Sequence, residues 1–143
     1  MRIDLRRGSP RRLMVDTSVL IAHLRGVAHG TELMRWAGAA GVPYVSALSI
    51  LEVAQGMARR EEEATRALLD SLEPVVITYS VAWDAGVLLR DLRQQGLTIH
   101  LPDALIAVCT LSVGVPLLTH NVRHFERIPD LEVLDAGSTG QLA

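Results

Sequence analysis

Five short apolar segments recur along the chain, and each of the first three leads into two helical stretches. They are "LMV" (13–15), "VPYVS" (42–46), "VVITYS" (75–80), "VPLLTH" (115–120) and "LEVLD" (131–135). Strands joined by helical crossovers pair in parallel, and a parallel sheet is covered by helices on both faces. The pattern therefore predicts a three-layer α/β/α domain around a central, mainly parallel sheet of four to five strands.

The intervening stretches carry helix punctuation. "TSVLIAHLRG" stops at Gly26, and "VAWDAGVLLRDLRQQG" closes on Gly96. "GTELMRWAGAAG" places Leu33, Trp36, Ala37 and Ala40 on one face. "ALSILEVAQGMAR" forms a long helix. "EEEATRALLDSLE" is acidic in its first turn, as the helix dipole favours, and Pro74 ends it. "PDALIAVCTLSVG" has Pro102 at its start. Residues 1–12, five of them Arg, are expected to be a basic, solvated extension. Residues 13–135 make the domain, and 136–143 a loose tail.

At 143 residues, one domain can bury a substantial core without staples. Apolar residues make up 49% and aromatics only 3%, so the core must be aliphatic. Cys109 is the single cysteine, which rules out an internal disulfide and a cysteine-based zinc site. No apolar run reaches the ~20 residues of a membrane span, and the N-terminus lacks the apolar region of a secretory signal. The expected location is the cytoplasm. All fourteen basic residues are Arg. Without Lys, a P-loop or a Schiff-base mechanism is excluded.

The acids stand at element junctions. Asp16 ends the first strand, Glu52 lies between Leu51 and Val53 within a helix, and Asp103 follows Pro102 at a helix start. Each has an ordinary reading. Asp16 can cap a helix, Ser49 and Glu52 can form a capping box, and Asp103 can face a helix dipole. Asn121 can make an Asx turn. A helix starting near Ser46, however, puts Glu52 nearly two turns inside an apolar run, where a carboxylate needs a partner. Three carboxylates brought together repel one another, and a divalent cation relieves that repulsion. Oxygen ligands of this kind suit Mg²⁺ or Mn²⁺ rather than zinc.

With "VDTSVLIA", "SALSILEVAQG", "PDALIA" and "LLTHNVRHF" in this order, the chain resembles the PIN-domain ribonucleases. Within them it resembles the VapC toxins of toxin–antitoxin pairs. The resemblance covers about residues 13–134. It implies an Mg²⁺-dependent endoribonuclease, with Mn²⁺ able to substitute, that leaves 5′-phosphate and 3′-hydroxyl ends. Asp16, Glu52 and Asp103 are implied as acidic metal ligands and catalytic residues, with Ser18 and Thr119 as polar supports. Asn121 occupies a place where some members carry a fourth acid. The resemblance also implies a VapB-type antitoxin docked on the helices of residues 28–73, and a homodimer.

Arg25, Arg123 and Arg127 lie near the expected site and are candidates for phosphate contact, with a solvated charged turn as the alternative. Cys109 reads as a core residue. The rival function is a catalytically inactive PIN-like module that binds RNA or protein. A receiver domain is disfavoured by the missing Lys, and a D-x-D phosphatase by Ser18 at the second acid position.

Overall fold

The computed structural model describes residues 2–27 and 29–139. Five strands form one all-parallel sheet: β1 (Met14–Val15), β2 (Tyr44–Ser46), β3 (Glu73–Val75), β4 (Leu117–Thr119) and β5 (Val133–Asp135), in the order β3-β2-β1-β4-β5. Seven helices flank it: α1 (Thr17–Leu24), α2 (Gly30–Ala37), α3 (Ala47–Gly56), α4 (Glu62–Asp70), α5 (Tyr79–Gln94), α6 (Leu101–Ser112) and the short α7 (Val122–Phe125). A 3₁₀ turn at Arg59–Glu61 leads into α4. The expected three-layer α/β/α architecture is the one observed.

The strands are only two or three residues long, and the central pair, β1 and β4, is fully buried. Two cores lie on opposite faces of the sheet. One packs Leu13, Val15, Leu20, Leu33, Trp36 and Leu118 beneath α1 and α2; the other packs Met14, Ala107, Cys109, Leu117, Phe125 and Ile128 beneath α5 and α6. Alternate residues of β1 and β4 thus serve opposite cores, as the two-residue period of a strand requires. Cys109 is fully buried, and burial pushes its thiol up to about 11, so it is an inert core residue.

Several expectations need correction. The third strand is Glu73–Val75, not 75–80. It is an edge strand whose partner β2 has only three residues, so pairing stops at Ser46↔Val75. Pro74 lies inside it, tolerated because one side of an edge strand needs no donor. Thr78 then caps α5, accepting the Val81 N–H at 3.1 Å. Ala40 is off the buried face because α2 stops at Ala37. The segment after β4, read as a turn, forms α7, with Phe125 buried.

The largest departure is at the termini. Residues 1–12 are not a solvated tail: Ile3 and Leu5 are buried in the first core. Gly8, at φ +81°, passes so close to the turn after α2 that an added Cβ would lie 2.5 Å from Ala39 Cβ. Ser9 N–H donates to Trp36 O at 2.8 Å. Ile3 also makes a parallel bridge with Thr139 and donates to Ser138 O. The expected loose tail is therefore fixed through Thr139, with Ala136 buried. Met1 and residues 140–143 lie outside the described residues.

Candidate metal centre

All five strands run the same way, so their carboxyl ends share one edge, where parallel α/β sheets bind ligands. β1 delivers Asp16 there, β2 delivers Ser46, and β4 delivers Thr119.

Asp16 occupies the N-cap position of α1, with extended backbone at φ −73° and ψ 155°, yet its side chain makes no capping hydrogen bond. The carboxylate is buried and turned across the sheet instead. Its Oδ2 accepts from Ser18 Oγ at 2.8 Å and from Thr119 Oγ1 at 2.7 Å. These two hydroxyls are in turn fixed by backbone: His120 N–H donates to Ser18 Oγ at 3.1 Å, and Asn121 N–H to Thr119 Oγ1 at 2.9 Å. The structure thus brings Ser18 and Thr119 onto Asp16. Asn121 reaches this network only by its backbone; it is exposed and precedes α7.

Glu52 lies in α3, which starts where expected, with Ser46 accepting the Ser49 N–H. Ser46, not Ser49, is the cap, so the capping-box reading of Glu52 does not hold. Glu52 Oε1 accepts from Thr17 Oγ1 at 2.7 Å. Asp103, in the first turn of α6, pairs with His124 Nδ1 at 3.2 Å. Burial pushes the Asp103 carboxyl above its ordinary value. His124 draws it back, the negative charge of Asp16 adds to the rise, and His100 opposes it. Asp16 and Asp103 therefore feel each other's charge.

The three acids do not form a closed ligand group. Among the described residues, no three His, Cys, Asp or Glu side chains are gathered into an arrangement able to hold a metal ion. Glu52 is tied to Thr17 and Asp103 to His124, which explains the opening. The donor set still fits Mg²⁺ or Mn²⁺. Mg²⁺ keeps several waters and takes one or two carboxylates plus substrate phosphates rather than a complete protein cage. Asp16, buried and held by neutral hydroxyls, and Asp103, raised in part by its charge, offer oxygen donors of the kind such a partial site uses.

Arg25, Arg123 and Arg127 are all exposed, and among the described residues none of them is in an ion pair. Arg25 lines a cleft with Glu52, Met57 and Glu61. Arg123 is in α7 and Arg127 directly beyond it. Sequence reasoning missed Thr17 and His124 as partners of the acids. Thr17, adjacent to Asp16, offered the one local signal; His124 meets Asp103 across 21 residues, and nothing local marks that contact.

The PIN-domain family profile matches residues 13–131. The chain belongs to the PIN-domain family. It is 31% identical over 134 residues to Ribonuclease VapC1 of Rickettsia felis, covering 88% of this chain and 97% of that one. It is 34% identical over 120 residues to Ribonuclease VapC10 of Mycobacterium tuberculosis, covering 84% and 90%. Among solved structures, this PIN fold matches the VapBC complex of Salmonella typhimurium bound to DNA with a TM-score of 0.76 at 22% identity, over 87% of this chain and 98% of that one. It matches VapBC2 of Rickettsia felis, bound to a promoter DNA fragment, with a TM-score of 0.75 at 21% identity and the same coverage.

Proposed function

We propose that the protein is the toxin of a VapBC-type pair, an Mg²⁺- or Mn²⁺-dependent endoribonuclease acting in the cytoplasm. The observation that carries this reading is Asp16: a buried carboxylate at a helix start that declines the capping role, held by Ser18 and Thr119 and set against Asp103. Asp16, Glu52 and Asp103 would hold the metal. When bound, the metal supplies Lewis acidity at a phosphoryl oxygen and makes water more acidic.

The chain's own residues do the remainder. Ser18 and Thr119 keep Asp16 in one orientation. His124 orients Asp103. A carboxylate of the set accepts the proton of the water that attacks phosphorus in line. The unpaired Arg25, Arg123 and Arg127 contact backbone phosphates of the RNA. Water attack breaks the P–O3′ bond; the 3′ oxygen leaves and takes a proton from solvent, giving a 5′-phosphate and a 3′-hydroxyl without use of the RNA 2′-hydroxyl.

Two partners belong to this reading. A VapB-type antitoxin docks within residues 28–73, where a groove of about 350 Å³ between α3 and α4 is lined by Ile50, Ala54, Met57, Leu69 and Leu72. A second copy covers exposed apolar side chains at the start of α5 and α6, namely Val76, Tyr79, Trp83 and Leu101. A monodisperse monomer at high concentration in light scattering would refute the dimer, and harmless expression without antitoxin would refute the toxin role.

The deciding experiment is cleavage of a labelled, structured RNA with Mg²⁺, Mn²⁺ or EDTA, beside Asp16→Asn. Metal-dependent cutting by wild type, lost in the folded variant, is the expected result. RNA bound but left intact under every metal condition would favour the inactive binding module instead.

A further inference from the structure

Thr17 is the first residue of α1 and directly follows Asp16. Its hydroxyl lies 2.7 Å from Glu52 Oε1 and 2.8 Å from Ser49 Oγ. Ser49 Oγ lies 3.1 Å from Ser46 Oγ, and both serines are fully buried. Ser46 Oγ also accepts the Ser49 backbone N–H at 3.0 Å, which fixes the far end of the network.

Proton bookkeeping gives this network a direction. A carboxylate only accepts, and a threonine hydroxyl has one proton to give. The Thr17 proton is therefore committed to Glu52. The Ser49 proton makes the contact with Thr17, and the Ser46 proton the contact with Ser49. Three hydroxyls form a one-way chain ending on a carboxylate, and such chains strengthen each link by polarisation. The same backbone corner thus aims two acids. Asp16 turns toward Ser18 and Thr119, while Thr17 turns toward α3 and Glu52.

We propose that Thr17 is a positioning residue: backed by the buried Ser46 and Ser49, it fixes the Glu52 carboxylate at the edge of the centre that Asp16 defines. The proposal rests on the metal-dependent reading above. A simple tie between α1 and α3 would use the same hydroxyl, so the test must separate aiming from holding the fold together.

Thr17→Val keeps the shape and removes the hydroxyl, whereas Thr17→Ser keeps the donor. Three quantities decide the matter: Mn²⁺ affinity by calorimetry, the unfolding midpoint without metal, and the RNA cleavage rate at saturating Mn²⁺. We expect Thr17→Val to unfold close to wild type yet to lose about 10–100-fold in Mn²⁺ affinity or cleavage, as removal of a ligand-orienting partner typically does. Thr17→Ser should recover most of that loss. In a Glu52→Gln background, Thr17→Val should add nothing, because no carboxylate is left to aim. A folded Thr17→Val with wild-type Mn²⁺ affinity and cleavage would overturn the positioning role alone. So would an equal loss in the Glu52→Gln background. If wild-type protein takes up no Mn²⁺, the metal reading itself fails and this proposal falls with it.

Discussion

The two edges of the sheet treat their acids in opposite ways. At the amino edge, two acids meet arginines. Arg11 pairs with Glu132 just before β5, and Arg12 pairs with Glu73 at the start of β3. Arg12 also donates to Tyr44 Oη at 2.7 Å and sits 3.8 Å over the Tyr44 ring. At the carboxyl edge, no arginine touches Asp16, Glu52 or Asp103 among the described residues; their partners are hydroxyls and one histidine. The chain does not lack arginines there: Arg25, Arg123 and Arg127 stand nearby, without an ion-pair partner among the described residues. One edge is neutralised internally and serves the fold. The other is left with negative charge in the centre and positive charge around it, the layout expected for a cation and a phosphate backbone.

The largest effect should come from the centre. Asp16→Asn keeps an oxygen that can accept from Ser18 and Thr119, so the fold should persist while Mn²⁺ binding and RNA cutting fall by more than about 100-fold. Calorimetry and gel cleavage check this; a variant that still cuts would erase the distinction between the edges.

Next in size is the N-terminal segment that brings Arg11 and Arg12 to the amino edge. Leu5→Ala should cost about 2–5 kcal/mol of stability, because Leu5 is buried in the core. Chemical denaturation measures it. A loss no larger than that of an exposed substitution would restore the reading of residues 1–12 as a tail.

A subtler effect concerns Asp103. Its carboxyl is raised, chiefly by burial, from an ordinary 3.8. The folded state then holds a proton more tightly than the unfolded state, so stability falls as pH rises from about 4 through the raised value. The penalty is complete above that value and absent below the unfolded one. In EDTA, Asp103→Asn should therefore melt slightly above wild type at pH 7, and the gap should close as pH falls toward 4. Thermal melts across that range decide it, and a variant that melts below wild type at pH 7 would show that the charged Asp103 stabilises the empty site.

The smallest effect belongs to Arg12→Lys. Its ion pair is solvent-exposed, so a slight drop in melting temperature is expected, with Mn²⁺ affinity and cleavage unchanged. A change in cleavage would mean that the amino edge is coupled to the chemistry.

Much of this was legible along the chain. The alternation of apolar strands and helices dictates a parallel three-layer fold, because a helical crossover leaves parallel pairing as the outcome. Gly26 and Gly96 end helices at φ +66° and +75°, conformations that glycine adopts without cost. Asp16, Ser18 and Thr119 were readable as one group, since each falls within three residues of a strand's carboxyl end. What the sequence could not supply is anything set by a partner distant in the chain. The length of β3 was decided by how many residues β2 offers. The burial of Ile3 and Leu5 was decided by a groove that exists only once β5 and α2 are in place. The ties of Glu52 to Thr17 and of Asp103 to His124 depend on how α1, α3, α6 and α7 pack. Local sequence determined which residues stand at each strand end, because strand periodicity and helix capping act over a few residues. Only tertiary packing decided which acids are matched by arginine and which by hydroxyls and a histidine, because charge pairing acts through space.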